Sequence, residues 1–290
     1  CHPPTHTPTH SNKQLEEPLR EQACWAVGNV AGDCDEYRAV LLANGALRAI
    51  LGFLQSSSVA GWGNAAQGSG ATTAATGTTT YTSTAAWALS NLARGSTTAA
   101  EFLGAEGCGP LCVKLLQHPD SATVAEAWWI FSFLSAKEEE LVEALLTQCG
   151  LLHCIVPALI AAGIPPRGIS LGAVPVVRTM GNLLTGPEHW VDLIVALPGL
   201  MAAFLHLLSC AHNAHTHAAS VAYTSTATSS TTASSGGGEG YGGDKAVLKE
   251  GMFALGCILG GSATARTAAL QGGALQAVSQ CLLSDIFEVQ

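Results

Sequence analysis

Apolar residues recur along this chain at spacings of three and four, in short runs that Gly, Pro and polar clusters interrupt. That period is helical, because residues three or four apart share one face of a helix. One pattern returns five times: an apolar run with a large or long residue and, four places later, a polar or bulky one. The copies are EQACWAVGNVAGD (21–33), STAAWALSNLARG (83–95), VAEAWWIFSFLSA (124–136), VPVVRTMGNLLTG (174–186) and LKEGMFALGCILG (248–260). Four of them lead into a pair of shorter amphipathic segments broken by Gly, as in EYRAVLLAN then GALRAILGFLQ, or TARTAALQGG then ALQAVSQCLL. Gly at such a break supplies the left-handed residue that ends one helix before the next begins.

Trp87 and Trp129 stand about forty positions apart, the length of a repeat of two or three helices. Trp25 to Trp87 is about sixty positions and Arg178 to Phe253 about seventy-five, but a Ser/Thr/Gly/Ala tract lies in each interval. These readings predict a His/Pro/Thr leader over 1–15, a first unit over 16–57 and an insert over 58–83. Central units follow over 84–210, then a His/Ser/Thr/Gly insert over 211–244 and a last unit over 245–285. The leader and inserts lack apolar periodicity and are expected to be disordered loops. No single unit buries its own apolar face, so the units must stack into an all-α solenoid with low-complexity insertions.

Composition narrows the partners. A formal net charge of −9 excludes nucleic acid, which needs clustered Lys and Arg, and favours basic ligands. Ten cysteines are present, yet none forms a Cys-x-x-Cys pair, and those in apolar runs act as small hydrophobes in a reducing compartment. The most apolar span, 191–208, contains Asp192, Pro198 and Gly199 and reads as two packed helices rather than a membrane crossing. The His-bearing strings CHPPTHTPTH and CAHNAHTH lack the spacing of a metal site, so neither metal nor cofactor is expected. No phosphate loop, Gly-x-Ser-x-Gly elbow or His-Glu-x-x-His helix marks an enzyme, and no catalytic residue is assigned.

A Trp and an Asn four positions apart lie one turn apart on one helix face. The Asn amide offers a donor and an acceptor to the backbone of an extended peptide. The indole attracts the stem and charge of a Lys or Arg. Trp25/Asn29 and Trp87/Asn91 are such pairs in equivalent places, and they are expected on an exposed face. Trp62 and Trp190 are not assigned to it.

The motif EQACWAVGNVAGD, followed by the YRAVLLANGAL pair, resembles the importin-alpha family. The order of variation is similar too: two Trp/Asn repeats, one with Trp129 and Phe133, one with Arg178 and Asn182, and one introduced by Lys249 and Glu250. The resemblance implies a right-handed solenoid of armadillo repeats, spanning about five central repeats of the family's ten. It implies a principal groove of Trp25, Asn29, Asp33, Trp87, Asn91, Glu126 and Trp129, and a secondary groove of Arg178, Asn182, Glu188 and Glu250. The carboxylates would pair with Lys and Arg of a nuclear localisation signal, and the partners would be cargo proteins bearing such signals. The protein would shuttle between cytoplasm and nucleus.

Departures limit this expectation. Phe253 and Cys257 stand where the family carries Trp and Asn, and Ala136 where it carries an acid. The chain starts on Cys1 and reads as a fragment, so importin beta is a partner only if the full-length product carries a basic N-terminal arm. The alternative is a divergent armadillo interaction scaffold with no transport role.

Overall fold

A computed structural model describes residues 10–58, 74–95, 102, 107–137, 139–163, 170–226 and 239–283. They are helical, with no strand among the described residues. The leader through residue 9, Trp62 with the rest of 59–73, and residues 227–238 lie outside them. The chain divides into two compact units, Cys1–Leu134 and Ser135–Gln290.

In the first unit α1 spans His10–Asp33, α2 Asp35–Ala43, α3 Ala46–Ser58, α4 Ala74–Ala93, α5 Cys108–Leu115 and α6 Ser121–Leu134. Helix α4 lies between α1 and α6. Ala85, Ala86, Ala88 and Ala93 are all fully buried on it, and side chains this small let both neighbours approach closely. Leu54, Leu89, Leu92, Leu115, Ile130 and Phe131 complete the core. Cys24 is buried as well, and desolvation together with the nearby Glu21 raises its thiol to about 11, so it stays protonated and packs as an apolar residue.

In the second unit α7 spans Glu139–Gln148, α8 Leu152–Ala162, α9 Ala173–Leu183 and α10 Glu188–Val195. Then come α11 over Leu200–Thr226, α12 over Glu239–Gly260, α13 over Ala263–Gly272 and α14 over Ala274–Leu283. Helix α9 packs on α12, and α11 packs on both α8 and α12. Ile155, Leu159, Met180, Phe204, Leu207 and Ile258 form the centre, with Trp190 also buried. Ser262 caps α13, its Oγ accepting from the Ala265 amide at 2.9 Å and also bonding Asp192 of α10.

The repeat shows most plainly in its turns. Gly45, between α2 and α3, has φ +81°, a conformation that a Cβ would strain, and its N–H donates to the Leu42 carbonyl at 2.9 Å. The same left-handed turn recurs at Gly107, Gly150, Gly199 and Gly273, at the entry to α5, α8, α11 and α14. Before Gly107, residues 96–101 and 103–106 lie outside the described ones. The helices also enter the tracts and leader further than composition predicts. Helix α1 starts at His10, α4 at Ala74, α11 continues to Thr226 and α12 starts at Glu239. Residues 211–226, expected as part of a loop, are rich in Ala, the strongest helix former, and prolong a helix already nucleated by packing.

Candidate functional site

The five motif helices are α1, α4, α6, α9 and α12. Three residues after each leading position stands a small residue: Gly28, Ser90, Ser132, Gly181 and Gly256. Its purpose is visible in the first unit, where the Trp87 ring lies directly on Gly28. A Cβ built there would stand 2.2 Å from Trp87 Cζ3. Gly181 seats Phe253 in the same way in the second unit, with 3.4 Å from the same ideal Cβ to Cδ1. In each unit, therefore, a glycine of one motif helix seats the aromatic of the next.

Between α4 and α6 this arrangement leaves a cleft of about 180 Å³, lined by Trp87, Ser90, Asn91, Arg94, Glu126, Trp129 and Phe133. Four of the seven residues assigned to the principal groove thus meet in one place: Trp87, Asn91, Glu126 and Trp129. The Glu126 carboxylate accepts from Ser90 Oγ at 2.5 Å. Desolvation raises its pKa, opposed by the Ser90 hydrogen bond and by the charge of Arg94. The Trp129 and Phe133 rings stack with centroids 5.6 Å apart and planes at 22°.

Asn91 differs from expectation. It is buried at 7% exposure rather than open, its amide lying 3.8 Å from an ideal Cβ on Gly32. Burial is tolerable because Asn91 Oδ1 accepts from Arg94 Nη1 at 3.2 Å. The Arg94 guanidinium in turn sits 5.6 Å over the Phe133 ring. Ser90 and Arg94 are absent from the sequence assignment. Arg94 was within reach of it, since it stands one turn beyond Asn91 and two turns beyond Trp87.

Trp25, Asn29 and Asp33 are exposed along α1 and do not line the cleft, Trp25 at 55% exposure. Asn29 Nδ2 donates to the Trp25 carbonyl at 3.0 Å, so its amide is turned onto its own helix. A larger hollow of about 540 Å³ lies between α1 and α3. Apart from Arg20 and Ser56 its lining is apolar, so it offers no convergent polar groups and is not the site.

The secondary-groove residues lie in the second unit. Arg178 on α9 and Glu250 on α12 form an ion pair at 2.7 Å. Asn182 Nδ2 donates to Ser135 Oγ at 3.2 Å. Glu188 stands exposed at the start of α10, on a different helix from that pair. Phe253 is exposed at 52%, one turn from Cys257.

No family model matches the chain. Importin subunit alpha-9 of Arabidopsis thaliana is 30% identical over 182 residues, which is 60% of this chain and 29% of that protein. Importin subunit alpha-1b of Oryza sativa subsp. japonica is 28% identical over 188 residues, 64% of this chain and 30% of that protein. Among solved structures, a designed armadillo repeat protein in complex with the peptide (KR)4 aligns over 97% of this chain and 89% of its own. Its TM-score is 0.58 at 18% identity. This is an importin-alpha-like armadillo repeat region. The fold is all-α, of armadillo type. Within it, the chain spans less than a third of the length of the two importin subunits it matches.

Proposed function

We propose that these armadillo repeats hold a Lys/Arg-rich peptide in extended form, as an import adaptor holds the nuclear localisation signal of its cargo. The observation that carries this reading is the α4–α6 cleft, where two indoles flank a partly buried carboxylate beside an Asn amide. Indole faces and a desolvated carboxylate together select a long cationic side chain. Trp25 extends the aromatic row onto α1, with Asn29 and Asp33 beside it. Support comes from importin subunits among the relatives and from a structural neighbour holding (KR)4. On this reading the site binds without catalysis or cofactor, the protein shuttles between cytoplasm and nucleus, and importin beta is a partner if the full-length product carries a basic N-terminal arm.

Fluorescence anisotropy with a labelled Lys/Arg peptide tests it. The Trp25→Ala/Trp87→Ala double variant is expected to bind at least about tenfold more weakly than wild type. Equal affinities would overturn the reading.

Glu126 adds a pH signature. Its pKa is raised in the free protein, and a bound cation lowers it, so binding releases a proton. Peptide affinity is therefore expected to rise with pH above the ordinary carboxylate range and level off once the free protein has ionised. In Glu126→Gln that slope disappears and binding is uniformly weaker. A slope that survives the substitution assigns the proton elsewhere.

A second reading, a scaffold without transport, is favoured by the second unit. There Arg178 and Glu250 satisfy each other, and Cys257 replaces the amide of the ladder. Co-precipitation of the full-length product with importin beta counts against this reading.

A further inference from the structure

The α4–α6 cleft already contains a cation. Arg94 follows the last residue of α4, and its guanidinium turns back over the Phe133 ring of α6 at 5.6 Å. Its Nη1 holds Asn91 Oδ1 at 3.2 Å. Two features suited to a peptide at this rung, an aromatic face and an amide acceptor, are thus engaged by the protein's own side chain. Within the same cleft, Glu126 is held to Ser90. The lining is therefore dipolar, with a carboxylate and a guanidinium among aromatic walls, rather than uniformly acidic.

We propose that Arg94 is a specificity-determining residue that makes the Asn91/Arg94/Phe133 end of the cleft reject a Lys or Arg and accept an acidic side chain of the bound peptide, next to the Trp87, Glu126 and Trp129 end that takes the cation. The inference rests on the peptide-groove reading and refines it: the preferred ligand is a basic segment interrupted by one Asp or Glu. A basic side chain at this rung meets a like charge and finds the Phe133 face occupied. A carboxylate meets a planar five-donor fork already held in place by the ring and the Asn91 amide. Arg94 is exposed, so its outer donors remain open to such a partner.

The test uses the whole chain and a labelled eight-residue Lys/Arg peptide, together with the series in which one Glu is walked through each position. Wild type is expected to bind one Glu-bearing member about fivefold more tightly than the all-basic peptide. In Arg94→Gln that advantage disappears and the all-basic peptide binds about fivefold more tightly than it does to wild type. If Arg94→Gln melts earlier than wild type, Arg94→Lys decides the matter: it keeps the charge and must bind the all-basic peptide no more tightly than wild type, while loss of the planar fork reduces the Glu advantage. Binding of the all-basic peptide with no favourable Glu position, or a Glu advantage unchanged in Arg94→Gln, overturns the role of Arg94 and leaves the groove standing. Failure of every peptide to bind removes the groove reading and this one together.

Discussion

Trp128→Ala is expected to lower stability by about 3–5 kcal/mol, whereas Trp129→Ala costs about 1 kcal/mol and is felt instead in peptide binding. The two residues are adjacent, yet successive positions on a helix point about 100° apart. Trp128 is 2% exposed, with its ring 6.2 Å from that of Phe131 in the core of the first unit. Trp129 lines the cleft and is only partly buried, so the pair of rings it forms with Phe133 is its chief contribution to folding. Removing Trp128 leaves a cavity beside Phe131, and helix α6 cannot close it without moving the ladder face. Thermal melting followed by far-ultraviolet circular dichroism separates the two variants, and anisotropy with a Lys/Arg peptide reads the second effect. A larger melting loss for Trp129→Ala would mean that the aromatic ladder, not Trp128, is the core of this unit.

The helices were legible because apolar period and glycine breaks agree. Gly45, Gly150, Gly199 and Gly273 each follow an apolar run and each adopts the left-handed turn. Pairs on a single helix were legible too, since Trp87 and Asn91 follow from spacing alone. What spacing does not carry is contact between helices. The seat that Gly28 provides for Trp87 joins positions about sixty apart across an undescribed tract, and nothing local to either residue announces it. Asn91 was misjudged for the same reason. Its burial is acceptable because Arg94 satisfies its oxygen, and Arg94 was given no place on the face. The tracts misled in the other direction: their composition argues for loops, but a packed helix propagates into Ala-rich sequence at little cost, as α11 does.

Gly28→Ala is expected to disconnect the ladder with little damage to the fold. Alone, the change favours helix α1 by about 1 kcal/mol, because glycine is the costlier residue in a helix interior. Against this, the new Cβ would stand 2.2 Å from Trp87 Cζ3 and 2.6 Å from Cε3, closer than any real contact. The indole is rigid, so it must leave its seat, and overpacking of this kind costs about 1–3 kcal/mol. Trp87 is only partly buried and can swing toward solvent, which places the net loss of stability near the lower end. Peptide affinity is expected to fall about tenfold, as it would if the ring were absent. Gly256→Ala supplies the control at the same repeat position, for an added Cβ there meets nothing within 4 Å. That variant is expected to gain about 0.5–1 kcal/mol and to bind the peptide unchanged. Parallel melting and anisotropy measurements on the two variants decide the point. If Gly28→Ala melts above wild type and binds normally, the notch does not set the position of Trp87.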